Sequence, residues 1–251
     1  GPGVGKTKVA SVFAEAIGFP IEKIPLGGLQ DPTLLRGGQK SWVGSSAGMI
    51  LQIMAKMKVS NGIILFDEID KLNSDKGIEV QNALLHVTDY SSNNEFSDSF
   101  ISDFNHDISN LMFFYSLNDE SHVNPILLDR LTIIDIEPYT HEQLAHIGLH
   151  YTLKKERIKL GLASSDFDFT IDNMKFIVNK LHPNVKRTGV RKLEQAIKYI
   201  CSCLNFMKNS NLQLTFVPPP EIKDKNKILE HMLDTGGFIK KQDESYLNIY
   251  M

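Results

Sequence analysis

Gly1-Pro2-Gly3-Val4-Gly5-Lys6-Thr7 opens the chain, and its reading decides the fold. The stretch supplies the last seven positions of the pattern G-x-x-x-x-G-K-[ST], whose first glycine falls ahead of Gly1. Small residues here let successive backbone N–H groups turn inward around phosphate oxygens. The helix that follows adds its positive end. Lys6 is expected to reach the β- and γ-phosphates, and Thr7 to offer its hydroxyl to Mg²⁺. Because the chain opens inside a motif, a fragment of a longer protein is expected, and no targeting segment can be sought in it.

Working outward, Val9, Phe13 and Ile17 recur at four-residue spacing and mark one face of a helix beginning near Lys6. Ile21 to Leu26 and Gly62 to Phe66 read as strands, as do Asn110 to Ser116 and Leu131 to Ile136. Met49, Ile50, Ile53, Met54 and Met57 form an apolar helical stripe suited to core packing, and Gln81 to Val87 is helical. Strand-like runs alternating with helical patterns predict an α/β domain with a mostly parallel sheet. After Pro138 the character changes. Thr140 can cap a helix reaching about Leu160, with Leu144, Ile147 and Tyr151 on one face, and further helices run near Asp172 to Leu181 and Thr188 to Met207. Leu212 to Val217 reads as a strand, Pro218 to Pro220 as a stiff break and Asn226 to Leu233 as a helix. The expected organisation is an α/β nucleotide-binding domain over 1–139, a smaller α-helical lid subdomain over 140–207, and a tail or the start of a further region over 208–251.

Ile63-Ile64-Leu65-Phe66-Asp67-Glu68 puts two carboxylates at the end of a buried strand, where an open α/β sheet binds ligands. Downstream of a phosphate loop, Asp67 suits Mg²⁺ and its waters, and Glu68 suits orienting and polarising the attacking water. Together the two motifs predict a nucleotide triphosphatase. Asn118 follows a strand and can reach the space beside the γ-phosphate. Arg130 follows Leu127-Leu128-Asp129, and Arg191 stands in Thr188-Gly189-Val190-Arg191 at the start of a helix.

Composition narrows the classes. Among 251 residues, 42 % are hydrophobic and 23 % charged, which excludes a disordered chain or a disulfide scaffold, and no apolar run approaches a membrane span. With 27 Lys plus Arg against 30 Asp plus Glu the formal charge is −3, whereas dedicated nucleic-acid binders are usually more basic. Cys201 and Cys203 sit at i and i+2 on a helix, facing apart, and read as small apolar residues in a reducing compartment. His141-Glu142-Gln143-Leu144-Ala145-His146 differs from the H-E-x-x-H zinc motif by one residue of spacing, and His146 and His150, four apart, have no acid between them; a solvated helical face is the better reading.

The order of these residues resembles AAA+ ATPases and, within them, Lon-type proteases. Gly27 to Gly37 followed by Trp42-Val43-Gly44 looks like the Lon segment before its central-pore loop, and Trp42 and Val43 are the pore-loop candidates. Leu65 to Leu72 looks like the Lon Walker B region, and Ala83 to Val87, Phe96-Ser97-Asp98, Pro125 to Arg130 and Tyr139-Thr140 follow in the family's order. The resemblance runs from Gly1 to about Met207. It implies a P-loop (AAA+) parallel sheet flanked by helices, with Asn118 as sensor 1, Arg130 as arginine finger and Arg191 as sensor 2. It also implies a ring, normally a hexamer, in which Arg130 serves the neighbour's nucleotide, and an intracellular setting, cytoplasmic or of the mitochondrial matrix.

Departures accompany the match. Trp42 stands where Lon usually has tyrosine, and Gly38-Gln39 replaces a more basic pair. Ser45-Ser46-Ala47-Gly48 is similar to a serine nucleophile loop but is better read as a helix start. The residues from 208 on are too few for Lon's Ser–Lys peptidase domain. Three classes stay open: an ATP-driven, Mg²⁺-dependent motor that unfolds and moves protein through a ring; a nucleic-acid motor or clamp-loader-type ATPase; and a non-hydrolysing AAA+ scaffold. Acidic balance and the aromatic pair Trp42-Val43 stand against the second, and the full set Lys6, Thr7, Asp67, Glu68, Asn118, Arg130 and Arg191 against the third. Polar, glycine-rich flanks are poor surroundings for a core indole, so Trp42 is expected on the surface.

Overall fold

A computed structural model describes residues 3–183, 189–209 and 223–239. The chain divides into two compact units, Gly5–Ile136 and a second made of Gly1–Val4 with Glu137–Met251.

The first unit runs α1 (Lys6–Ile17), β1 (Ile21–Pro25), α2 (Thr33–Arg36), α3 (Met49–Met57), β2 (Ile63–Asp67), α4 (Asp75–Val87), β3 (Phe96–Ser97), β4 (Asn105–His106), β5 (Met112–Tyr115) and α5 (Pro125–Leu128). A parallel sheet has the order β1-β2-β5, with Ile21 opposite Ile63 and Ile63 opposite Met112. β2 is central, and Ile63, Ile64, Leu65 and Phe66 are all buried. A strand covered on both faces must be apolar at every position, which is why it reads as a continuous run rather than an alternation. The Phe66 ring stacks near Phe113 and Tyr115, at 6.0 and 5.0 Å between centroids. β3 and β4 form a separate antiparallel hairpin.

Two expectations change here. The buried residues of α1 are Ala10 and Ala14, while Val9, Phe13 and Ile17 are exposed. Small alanine side chains let the helix lie close on β2, and the bulkier residues are turned outward, Phe13 against Phe114 at 5.4 Å. Leu131 to Ile136 is not a strand. A strand needs a ladder partner; among the described residues nothing pairs with this segment, and β5 carries a partner on one side only. Ile133 and Ile134 consequently face solvent.

The second unit contains α6 (His141–Ile147), a π-turn over Gly148–Thr152, α7 (Leu153–Leu160), α8 (Ile171–Leu181), α9 (Val190–Asn209) and α10 (Lys225–Thr235). Thr140 caps α6 reciprocally: its hydroxyl accepts from Gln143 N at 3.2 Å, and Gln143 Oε1 accepts from Thr140 N at 2.9 Å. The π-turn corrects the expected face. Leu144 is buried, but Tyr151 is exposed and Thr152 and Leu153 are buried instead. A π-turn inserts one residue into the helix, so every side chain beyond it slips by one position. Leu229, Met232 and Leu233 of α10 are buried in the same core as Met174, Ile177 and Ile197. The readings at Leu212 to Val217 and Pro218 to Pro220 lie outside the described residues. Cys201 and Cys203 are buried free thiols, and burial pushes the Cys201 thiol up to about 11. Among the described residues no helix is long and apolar enough to cross a membrane.

Candidate functional site

α1 begins at a bare end. Its N-cap is Gly5, at φ 93° and ψ 17°, a conformation that residues with a Cβ rarely adopt, and no side chain caps the helix. No acid lies in its first turn. The first N–H groups of a helix need acceptors, and with no side chain supplying one they are suited to an anion. Gly1 and Pro2 lie outside the described residues.

Lys6 stands at this end, and its Nζ donates to Asn118 Oδ1 at 2.7 Å. Partial burial pushes the Lys6 pKa down, while Asp70, Asp67 and Glu68 oppose that shift. Asn118 follows β5 as expected, so parallel pairing brings it level with the acids that end β2.

Asp67 closes β2, bonded to Lys23 and to the Ser116 hydroxyl. Burial alone would raise its pKa; the bonds from Lys23 and Ser116, with the charges of Lys23 and Lys6, outweigh it and hold the carboxyl below its ordinary value. Ser116 Oγ also accepts the Glu68 N–H at 3.0 Å. One hydroxyl thus fixes both acids. Glu68 sits at φ 62° and ψ 48°, in the left-handed region, with its side chain exposed. The donor set fits a hard cation beside a phosphate: an ionised Asp67, and Thr7 in the first turn of α1. The buried Asp70 carboxyl, whose Oδ1 has no hydrogen-bond partner among the described residues, adds negative potential nearby.

Sequence reasoning missed Ser116, Lys23 and Asp70. Ser116 is the last residue of the run Asn110 to Ser116, where a polar residue after apolar ones signals a strand end at a site. Nothing in the sequence marks Lys23, which meets Asp67 through the parallel register.

Arg130 stands apart from this cluster. Arg130 Nη1 donates to Leu85 O at 2.6 Å on α4, with Asp89 at 3.8 Å. Arg191 belongs to the second unit, in the first turn of α9; there Val190 N donates to Gly3 O at 3.0 Å, and a Cβ on Gly3 would lie 3.6 Å from that of Arg191. Trp42 and Val43 occupy the loop between α2 and α3, 60 % and 106 % exposed. Ser45 to Gly48 leads into α3, with Gly48 at its N-cap.

The model of the AAA family, ATPases associated with various cellular activities, matches residues 1–138. The Lon protease of Malacoplasma penetrans is 37% identical over 199 residues, 79% of this chain and 25% of that protein. That of Neorickettsia sennetsu is 36% identical over 196 residues, 78% of this chain and 23% of its own length. Lon protease 3 of Sorangium cellulosum is 33% identical over 200 residues, 80% of this chain and 24% of that protein. The chain thus spans about a quarter of the length of the curated relatives it matches.

Proposed function

Since the chain belongs to the AAA family of ATPases, and is similar over most of its length to part of Lon proteases, we propose that it is an ATP-hydrolysing motor module. Its work is to unfold polypeptides and move them through a ring of copies, normally six, toward a peptidase elsewhere. The observation that carries the ATPase reading is the meeting of Lys6, Asn118 and Asp67 at an uncapped helix end.

In the Gly1 to Thr7 loop the residues other than Pro2, which has no N–H, would hold the phosphates through backbone N–H groups, and the Lys6 ammonium would neutralise their charge. Thr7 and Asp67 would hold Mg²⁺, which when bound draws electron density from the phosphate oxygens. Glu68 orients a water and accepts its proton as the water attacks. Asn118, held against Lys6, positions the terminal phosphate. Arg191 and the neighbour's Arg130 stabilise charge that develops on the transferred phosphoryl group.

The polypeptide half of the reading is supported by Trp42 and Val43. Apolar area left in water is costly unless it has a partner, and a flat indole grips varied side chains through contact area without reading sequence. The buried free thiols fit a reducing, intracellular compartment. The test is ATP turnover of the assembled protein with and without an unfolded, tryptophan-free polypeptide, and in parallel with single- and double-stranded DNA. Stimulation by polypeptide alone is expected, and Trp42→Ala should lower the stimulated-to-basal ratio while Trp42→Tyr keeps it. Stimulation by DNA alone would overturn the reading in favour of a nucleic-acid motor.

A further inference from the structure

The Trp42 loop does not stand alone. It leaves α2 at Gly37 and enters α3 at Gly48, and its two ends touch: a Cβ on Gly48 would lie 2.6 Å from Gly37 N. Inside the loop Gly38 N donates to Ser46 O at 3.2 Å, and Ser45 N to Trp42 O at 3.2 Å. The stem is thus closed and the tip carries Trp42 and Val43.

What closes the stem comes from elsewhere in the chain. Asp98, just past β3, is fully buried. Its Oδ2 accepts from Gly48 N at 2.7 Å, across 50 positions of sequence. Its Oδ1 accepts from Phe100 N at 2.8 Å and Ile101 N at 3.1 Å. Gly37 packs so tightly on this carboxylate that a Cβ there would lie 2.3 Å from Oδ1. Ser99 N donates to Arg36 O at 2.7 Å, just before the loop begins. One buried carboxylate therefore joins the Trp42 loop to the segment 98–104 that connects β3 to β4. A second tie lies farther out, where Lys40 Nζ meets Asp103 Oδ2 at 2.9 Å. Beside Asp103 stands Phe104, 68 % exposed.

We propose that Asp98 is a positioning residue that makes loops 37–48 and 98–104 one body, so that Trp42, Val43 and Phe104 meet an extended polypeptide together. This rests on the polypeptide reading above. A buried carboxylate accepting three N–H bonds holds its partners far more firmly than the exposed Lys40–Asp103 pair can. A loop fixed at its stem can transmit a push from α2 and α3 to its tip. A loop loose at the stem would absorb that push.

The protein supplies its own reporter, since Trp42 is its only tryptophan. In Asp98→Asn one oxygen becomes an NH₂ donor, so the three backbone N–H groups can no longer all be accepted as they are now. Below its melting temperature, checked by circular dichroism, this variant should show lower Trp42 fluorescence anisotropy. Its polypeptide-stimulated increment of ATP turnover should fall about tenfold, the size expected for one charge-assisted hydrogen bond. Phe104→Ser, a surface change, tests the shared surface should Asp98→Asn fail to fold, and it too should lower the stimulated-to-basal ratio. An Asp98→Asn protein that melts lower but keeps parental anisotropy and ratio would show a merely structural carboxylate and overturn the proposal. Lower anisotropy with an unchanged ratio, or a parental ratio in Phe104→Ser, would overturn it while leaving the polypeptide reading intact. No stimulation in the parent protein would overturn that reading, and this inference with it.

Discussion

Glu68 combines two roles that conflict at the level of one residue. Its backbone lies at φ 62°, where an L side chain crowds the chain and costs about 1 kcal/mol. The surroundings enforce this conformation: Ser116 takes the Glu68 N–H, and Ile69 N donates to Ser116 O at 3.1 Å. Such strain persists where neighbouring structure over-determines it, and it clusters at functional sites. Glu68→Gln keeps the backbone and the side-chain size but removes the proton acceptor. Single-turnover hydrolysis should fall by about a hundredfold or more, while nucleotide affinity measured by equilibrium binding holds. Normal hydrolysis in this variant would remove Glu68 from the proposed role.

Among the described residues only one other non-glycine has a positive φ, and it belongs to an element rather than to the site. Lys58, φ 58°, ends α3, with its N–H donating to Met54 O at 2.9 Å. It is exposed, and glycine is the residue that this helix-ending geometry favours. Lys58→Gly should therefore stabilise the first unit by about 1 kcal/mol, read as a higher urea midpoint at unchanged slope. A lower midpoint would mean that the lysine stem packs on its surroundings more than its exposure suggests. At this scale the sequence was legible wherever a signal was local. The apolar run ending in Asp67-Glu68, the Gly5-Lys6-Thr7 motif and the cap at Thr140 each marked an element boundary. Legibility failed where geometry depends on something distant. The four-residue spacing of Val9, Phe13 and Ile17 gave the helix but not its buried face, because alanines lie against β2. Tyr151 was misplaced by a π-turn that no residue announces. Leu131 to Ile136 has strand composition but no ladder partner among the described residues, and composition carries no pairing information. The role of Asp98 was equally invisible, since its chief partner is a backbone N–H 50 positions away.

At the scale of the whole molecule, Arg130 is proposed to act on a neighbour's nucleotide. In this chain its guanidinium lies on α4, bonded to Leu85 O and near Asp89, while Lys6 is matched with Asn118. A finger that serves a neighbour should be rescued by mixing. Arg130→Ala and Lys6→Ala proteins, each nearly inactive, should regain part of the parental turnover when co-assembled, because some interfaces then pair an intact phosphate loop with an intact arginine. Size-exclusion chromatography must show mixed oligomers; mixed oligomers without recovery would place Arg130 in its own subunit's site. The edge of the sheet has a different consequence. β5 is Met112-Phe113-Phe114-Tyr115, without charge or proline, and among the described residues it pairs on one side only. Nearby in sequence, Ile133 and Ile134 lie in water. Such a short, uncharged border lacks the lysines, prolines and bulges by which soluble proteins discourage self-templating. In concentrated solutions of residues 1–251 taken by themselves, this border, rather than the well-packed β2, is the place from which amyloid-like stacking would start, and a lysine placed within β5 is the gatekeeper that would slow it.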